Sequence, residues 1–321
     1  MPADHLADSL RADVLAGLRG PVRTLPSKWF YDKRGSELFE EITRLPEYYP
    51  TRAEEEILAQ RAAEIAAVTR AAALVELGSG SSRKTRLLLD ALGLGGTLRR
   101  YTPLDVSADA LTAAGAALCR DYPDLDVTAV VADLEQDLAI PDAEGPRLLA
   151  FLGSTIGNFD TAQRYAFYRR VSRALSAGDF VLLGADLVKD SATLVRAYDD
   201  AAGVTAEFNK NVLSVLNREL GADFDLDAFA HVAVWDADEE RIEMRLRSLW
   251  PQMVTIADLG LSVDFARDED LRTELSCKFR RDAFAEELRG GGLRVQRWWT
   301  DAAERFALVL ATPEDTADGR R

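Results

Sequence analysis

Histidine and cysteine are scarce in this 321-residue chain: His5 and His231, Cys119 and Cys277, and no others. None stands at ligand spacing from another, so no metal site is expected. A relay in which histidine activates a serine or cysteine has little to draw on. Two thiols far apart in sequence do not suggest a disulfide framework and read as two buried free cysteines of a cytoplasmic protein. Long apolar runs are missing too. Nothing approaches the ~18 residues of a membrane span, and the opening Met-Pro-Ala-Asp-His lacks a signal-peptide core. Positive charge is the remaining shortage: 39 Lys and Arg against 54 Asp and Glu give a net charge of −15. Such a surface repels a phosphate backbone, so neither nucleic acid nor membrane is expected as a partner.

What is present is a 47% apolar fraction, enough for a sizeable core, and one informative octet. Residues 73–80 read Ala-Leu-Val-Glu-Leu-Gly-Ser-Gly. Leu74, Val75 and Leu77 form a buried strand that runs through Glu76 into a glycine turn. A helix follows, with Ser81 or Ser82 as its N-cap and Leu87, Leu88, Ala91 and Leu92 as its apolar stripe. Strand, glycine turn and helix open a nucleotide-binding α/β sheet, where Gly78 and Gly80 let the backbone approach a ligand. A dinucleotide fingerprint needs a third glycine where this chain has Arg83. The departure favours the Glu-x-Gly-x-Gly turn of S-adenosylmethionine (SAM) methyltransferases over an NAD-dependent oxidoreductase. A plain tight turn would read the same by itself.

Further strands are expected over 101–106, 127–131, 148–153 and 180–185, each pair separated by a helical stretch. Acids or polar residues stand where they end: Asp105, Asp133, Gly153-Ser-Thr-Ile-Gly-Asn158 and Asp186. Ligands bind at the carboxyl ends of strands in such sheets. Asp105 sits where a ribose diol would lie, and Asp133 where an adenine amino group would. Residues 194–220 look like one helix, followed by alternating strands near 233–235 and 242–249. A helix at 284–289 and strands at 293–300 and 306–311 close the chain, with a disordered start around His5 and a disordered tail from Pro313 to Arg321. His231 reads as structural. The expected class is α/β: a doubly wound SAM-methyltransferase-type sheet, parallel with an antiparallel closing strand, plus a second α+β lobe. A SAM-binding domain is expected over 53–187 and 279–321, and a substrate lobe over 1–52 and 188–278.

Several longer stretches are more specific. They are Lys28-Trp-Phe-Tyr-Asp32, Leu45-Pro-Glu-Tyr-Tyr-Pro-Thr-Arg52, Val75 to Gly80, Phe151 to Asn158, Asp186-Leu-Val-Lys-Asp190, Tyr198 to Thr205 and Thr273-Glu-Leu-Ser-Cys-Lys-Phe279. With these, nearly the whole chain resembles the actinobacterial histidine Nα-methyltransferases of ergothioneine biosynthesis. That family uses three SAM molecules to convert L-histidine into its trimethyl betaine, hercynine.

The resemblance implies roles at matching positions. Gly78, Lys84, Asp105, Asp133 and Leu134 would contact SAM, and Leu134 replaces the family's usual phenylalanine. Gly153 and Thr155 would lie near the methyl-transfer point. Tyr48, Asn158 and Tyr198 would hold the amine and carboxylate of histidine. Tyr31 and Phe39 would line the amine pocket, with Tyr31 and Asn158 as catalytic groups. Met244, Glu274 and Ser276 would meet the imidazole. No metal is implied, and the partners are small molecules acting on a monomer.

Chemistry supports these types of residue. Alternation over 273–279 puts Glu274 and Ser276 on one face, where a carboxylate and a hydroxyl can pair with the two ring nitrogens. A strand with a solvated polar face would look the same. Aromatic rings over 29–49 suit an amine that loses N–H groups as it gains methyls, since cation–π contact is worth roughly 0.5–2 kcal/mol. A SAM enzyme acting on another small amine, and a non-catalytic binding protein of the same fold, remain alternatives.

Overall fold

The computed structural model describes residues 3–80, 82–132 and 140–314. Ser81, Asp133, Leu134 and the tail from residue 315 onwards lie outside the described residues. Along the chain come α1 (Ala3–Arg19), β1 (Arg23–Thr24), α2 (Lys33–Ile42), α3 (Tyr49–Thr69), β2 (Ala73–Leu77), α4 (Arg86–Leu94), β3 (Arg100–Asp105) and α5 (Ala108–Asp121). Next are β4 (Asp126–Val127), β5 (Val130–Val131), β6 (Arg147–Phe151), α6 (Thr161–Ala174), β7 (Phe180–Asp186), α7 (Ser191–Tyr198) and α8 (Val204–Leu220). The rest are β8 (Phe229–Asp236), β9 (Arg241–Ser248), β10 (Gln252–Ile256), β11 (Leu261–Phe265), β12 (Asp270–Cys277), α9 (Arg281–Gly290), β13 (Leu293–Thr300) and β14 (Phe306–Pro313).

The chain divides into two compact units. One comprises Met1–Tyr49 and Lys189–Cys277, the other Pro50–Val188 and Lys278–Arg321. The second unit, here the sheet unit, is built on eight strands in the order β13-β14-β7-β6-β2-β3-β4, with β5 also on β3. Strands β2 to β7 run parallel, and β14 lies antiparallel between β7 and β13. Every residue of β2 and β6 is buried, as expected where helices cover both faces. From β2 the chain steps to β3 on one side, while β6 and β7 lie on the other. The order therefore reverses between β2 and β6, the topological switch point where such sheets bind ligands.

The other unit, the lobe, has a four-stranded sheet β1-β12-β9-β8 and a β10-β11 hairpin. Its core gathers residues of α1, α2, α7 and α8 with Phe229, Ile242, Met244 and Leu246 of the sheet.

Several details differ from the sequence reading. Helix α4 starts at Arg86, after a Thr85 cap whose side chain makes no capping bond but donates to Glu76; of the expected caps Ser81 and Ser82, the second bonds to Tyr101 instead. The expected long helix is broken into α7 and α8. Asp200 accepts from the N–H groups of Val204 (3.0 Å) and Thr205 (2.7 Å) and restarts the helix, with Gly203 at φ 77° making the corner. The expected strand over 127–131 is two short pieces, and described residues 140–146 before β6 carry no helix. The start is helical from Ala3, and Pro313 ends β14. Cys277 is buried as expected, but Cys119 is exposed. It falls one step off the buried Leu111, Ala114, Leu118 stripe of α5.

Candidate functional site

In the sheet unit the glycine turn after β2 is open. Gly78 and Gly80 have φ of 65° and 49°, a conformation glycine adopts without steric cost. A Cβ on Gly80 would meet nothing within 4 Å. Ser79 is 7% exposed, yet its hydroxyl has no hydrogen-bond partner among the described residues. A bared turn beside an unpaired buried hydroxyl fits a polar ligand. Asp105, ending β3, accepts from Gly80 N–H on one oxygen (2.8 Å) and from Ser107 N–H on the other (2.9 Å). Each oxygen keeps acceptor capacity for a ligand hydroxyl. Burial pushes its pKa up, against those backbone donors.

Gly153, Thr155 and Lys84 come together. A Cβ on Gly153 (φ 75°) would lie 3.5 Å from Thr155 Oγ1 and 3.8 Å from Lys84 Nζ. The group holding them is one the sequence reading missed, Glu54 of α3. Its side chain is fully buried, it pairs with Lys84, and both its oxygens accept from Gly153 N–H at 2.8 and 3.0 Å. Gly184 faces it, and a Cβ there would clash with the carboxylate. The signal was available: Glu54 shares a helix stripe with buried Ile57 and Leu58, and an acid on an apolar stripe needs a partner. Asn158 ends the short 3-10 turn Thr155–Asn158 that follows β6.

Behind the turn, Glu76 is buried and accepts from Thr85 and from Tyr101 Oη (2.5 Å). Tyr101 has one proton, so its 2.9 Å contact with Ser82 has Ser82 as the donor. Burial raises the Glu76 carboxyl to about 7, against the two hydroxyl donors and Lys84. Asp186, the last strand-end acid, is not open to a ligand in this way. It forms a fully buried ion pair with Lys278 at 2.9 Å, so Lys278 is not on a solvated face.

In the lobe, the predicted aromatics form a connected row of rings. Tyr31 meets Phe39 edge-on at 5.6 Å between centroids, Phe39 meets Tyr48 at 6.1 Å, and Tyr48 meets Tyr198 at 6.2 Å. Phe208 of α8 joins the row at 5.5 Å from Tyr31 and 5.9 Å from Phe39. Tyr198 Oη lies 2.6 Å from Ser276 Oγ. Met244 is 1% exposed and stands opposite Glu274 in the β9–β12 ladder. The structure thus brings Tyr31, Phe39, Tyr48 and Tyr198 together, and Met244 with Glu274. Asn209 of α8 was also missed. It is fully buried and bonds to Thr273, Arg245 and His231.

His231 is structural. Its Nε2 lies 2.8 Å from the Tyr198 carbonyl, and its Nδ1 lies 2.8 Å from Asn209 Nδ2. An amide N–H can only donate, so Nδ1 accepts and the ring is neutral with its proton on Nε2. Burial holds its pKa below the usual value. Among the described residues no group of three or more His, Cys, Asp or Glu could hold a metal ion.

Comparison with known proteins agrees with this arrangement. The family model of histidine-specific, SAM-dependent methyltransferases matches residues 10–313. The histidine N-alpha-methyltransferase of Mycolicibacterium smegmatis is 56% identical over 97% of this chain and 97% of its own. That of Mycobacterium tuberculosis is 56% identical over 96% of each. The ergothioneine biosynthesis protein 1 of Neurospora crassa is 36% identical over 66% of this chain and 25% of its own. In fold, the CcbJ methyltransferase of Streptomyces caelestis superposes with a TM-score of 0.50 at 14% identity, over 88% of this chain and all of that one. A parallel sheet with an antiparallel closing pair, an open glycine turn at its switch point and a family match over nearly the whole length converge: the chain is a SAM-dependent N-methyltransferase and belongs to the histidine-specific methyltransferase family.

Proposed function

We propose that the protein methylates the α-amino group of L-histidine three times, giving hercynine, the first step of ergothioneine biosynthesis. The observation that carries this is the family match over residues 10–313, together with mycobacterial relatives of that named activity at 56% identity. The row of rings in the lobe supports repeated methylation. A pocket that must hold an amine, then a dimethylamine, then a quaternary ammonium cannot depend on N–H donors. Ring faces attract all three, and for a desolvated cation each is worth up to about 2 kcal/mol.

SAM, when bound, supplies a methyl group on a positively charged sulfur, so the protein's own task is mainly orientation. That alone can contribute about 7–11 kcal/mol when reacting atoms are held roughly 3–3.5 Å apart. Gly78, Lys84, Asp105, Asp133 and Leu134 are the groups assigned to the donor, in the sheet unit that would be the SAM-binding domain. Gly153 and Thr155 are assigned to the transfer point. Tyr48, Asn158 and Tyr198 are assigned to the amine and carboxylate of histidine, and Phe39 to the amine pocket. Tyr31, directly or through water, accepts or relays the proton that leaves the amine. Glu274 accepts from one ring N–H and Ser276 donates to the other nitrogen.

Mass spectrometry of products after incubation with SAM and each amino acid tests this. Mono-, di- and trimethyl-histidine with every methyl on the α-nitrogen is expected. A methyl on the imidazole, or preferential turnover of another amino acid, would overturn it.

A further inference from the structure

Strict alternation along β12 would place Asp270, Arg272, Glu274 and Ser276 on one face. The ladder with β9 shows otherwise. Asp270 stands opposite Arg247 and Arg272 opposite Arg245, then the register shifts, and Glu274 stands opposite Met244 and Ser276 opposite Ile242. Directly opposed residues of an antiparallel pair share a face. Asp270 and Arg272 therefore lie on the charged face, where Asp270 accepts from Arg247 (2.7 Å) and Arg245 (3.1 Å), and Arg272 reaches Glu243 (3.3 Å). Glu274 and Ser276 lie on the other face, with Met244 and Ile242, at 1% and 0% exposure. Ser276 is itself 2% exposed and bonded to Tyr198. One extra residue, Thr273, makes the change. A bulge of this kind re-aims every side chain that follows it.

The bulge is held from α8. Thr273 is fully buried; its hydroxyl donates to Asn209 Oδ1 at 2.5 Å and lies 3.1 Å from the Met244 carbonyl. The Asn209 amide donates to the Arg245 carbonyl at 3.1 Å and to His231 Nδ1 at 2.8 Å. Its carbonyl and both its hydrogens are thus engaged, on three adjacent strands, β12, β9 and β8. A fully satisfied buried amide fixes one arrangement, because any other leaves a polar atom unpaired.

We infer that the Thr273 bulge, locked by Asn209 and His231, is the device that turns Glu274 and Ser276 from the arginine-lined face to the substrate face. Thr273, Asn209 and His231 are positioning residues for side-chain selectivity. This rests on the reading that Glu274 and Ser276 contact the imidazole.

The test uses the full-length protein. Thr273→Val keeps the shape without the hydroxyl, and Thr273→Ser keeps the hydroxyl. The valine variant is expected to raise KM for histidine about tenfold, the loss of one buried hydrogen bond, with kcat falling less. Its SAM affinity by calorimetry should stay within about twofold, and serine should restore KM. Equal KM for the valine and serine variants, with Glu274→Ala impaired, overturns the proposal. The register is read separately by deleting Thr273, with a Ser276→Cys reporter in a Cys119→Ala, Cys277→Ala background. Without the extra residue, Arg272 opposite Arg245 and Glu274 opposite Met244 become consecutive pairs, so residue 276 should keep its face and its thiol should react with a soluble disulfide reagent within about twofold of the undeleted reporter. A thiol at least tenfold faster in the deletion overturns the bulge assignment. Native histidine KM in Thr273→Val, accompanied by native KM in Glu274→Ala, overturns instead the reading that these side chains contact the imidazole.

Discussion

Burial acts on the acids of both units, and the outcome differs. In the lobe, Asp32, Asp200, Glu243 and Asp270 all lose solvent, which raises their pKa, but hydrogen bonds and arginines more than compensate and hold each below its usual value. Asp32 and Asp200 cap helices, and Glu243 and Asp270 sit among Arg241, Arg245, Arg247 and Arg272. At the strand ends of the sheet unit burial wins, and Glu76 and Asp105 are pushed up. The first set has all its partners within the fold. The second has donors too, from hydroxyls and backbone N–H groups, but they do not outweigh burial, and acids perturbed in this way are candidates for a functional site. The contrast sets acids whose charged form the fold stabilises against acids whose charged form it disfavours, and each kind can be removed in turn.

Asp105 gives the largest expected effect. Two ribose hydroxyls on a carboxylate are worth about 1.5–3 kcal/mol each, so Asp105→Ala should weaken SAM by roughly a hundredfold or more while histidine affinity changes little. Donors that bind the charged form lower its pKa, so SAM binding to the native protein should also release a proton as pH approaches the raised free-state value. Calorimetry in buffers of different ionisation enthalpy reads both. Native SAM affinity in the alanine variant would return Asp105 to the structural class.

Glu76 is next, and its effect is of opposite sign. A carboxyl at about 7 in the fold and near its usual value when unfolded binds more protons folded than unfolded. Stability is therefore lost as pH rises from about 4.5 to 7, up to roughly 3 kcal/mol. Glu76→Gln, which like the neutral carboxyl offers one acceptor and one donor to the Thr85 and Tyr101 hydroxyls, should raise the melting temperature at pH 8 and match the native protein near pH 4.5. A variant less stable at pH 8 would show that the charged form is fully compensated.

Much of the sheet unit was readable from the sequence, and less of the lobe. Strands β2, β6, β7 and β14 are apolar runs, and the glycine turn announces itself through residue type. The ring partners Tyr31, Phe39, Tyr48 and Tyr198 came from the family resemblance, not from periodicity. What escaped depends on register or on single polar residues inside apolar stripes. Period-2 reading correctly pairs Glu274 with Ser276 but cannot see that Thr273 shifts the face on which they lie. Glu54 and Asn209 look like ordinary helix residues until their burial is known, since their partners, Gly153 N–H and Thr273 Oγ1, are 99 and 64 residues away. Ser82 does not cap α4, because its hydroxyl is taken by Tyr101, itself bonded to the buried Glu76.

The smallest expected effect separates the units by the acid side of their pH profiles. Burial lowers the His231 pKa, with Lys210 acting the same way, against the Tyr198 carbonyl, Asp199 and Asp200. The unfolded chain therefore takes up the proton first as pH falls. Stability from this group is fully present above about pH 6.5 and is lost below it. Protonation would also set two donors, Nδ1–H and the Asn209 amide, against each other. His231→Gln can still accept from Asn209 and donate to the Tyr198 carbonyl, but does not titrate. Hydrogen exchange of the β8 amides should accelerate between roughly pH 6.5 and 5.5 in the native protein, by about 1 kcal/mol or less in opening free energy, and stay flat in the variant. Strand β2 of the sheet unit should show no such acid-side acceleration, since Glu76 gains stability in that direction. If β8 and β2 respond alike, or if glutamine keeps the native slope, His231 is not the titrating group and the neutral character of the lobe network must be given up.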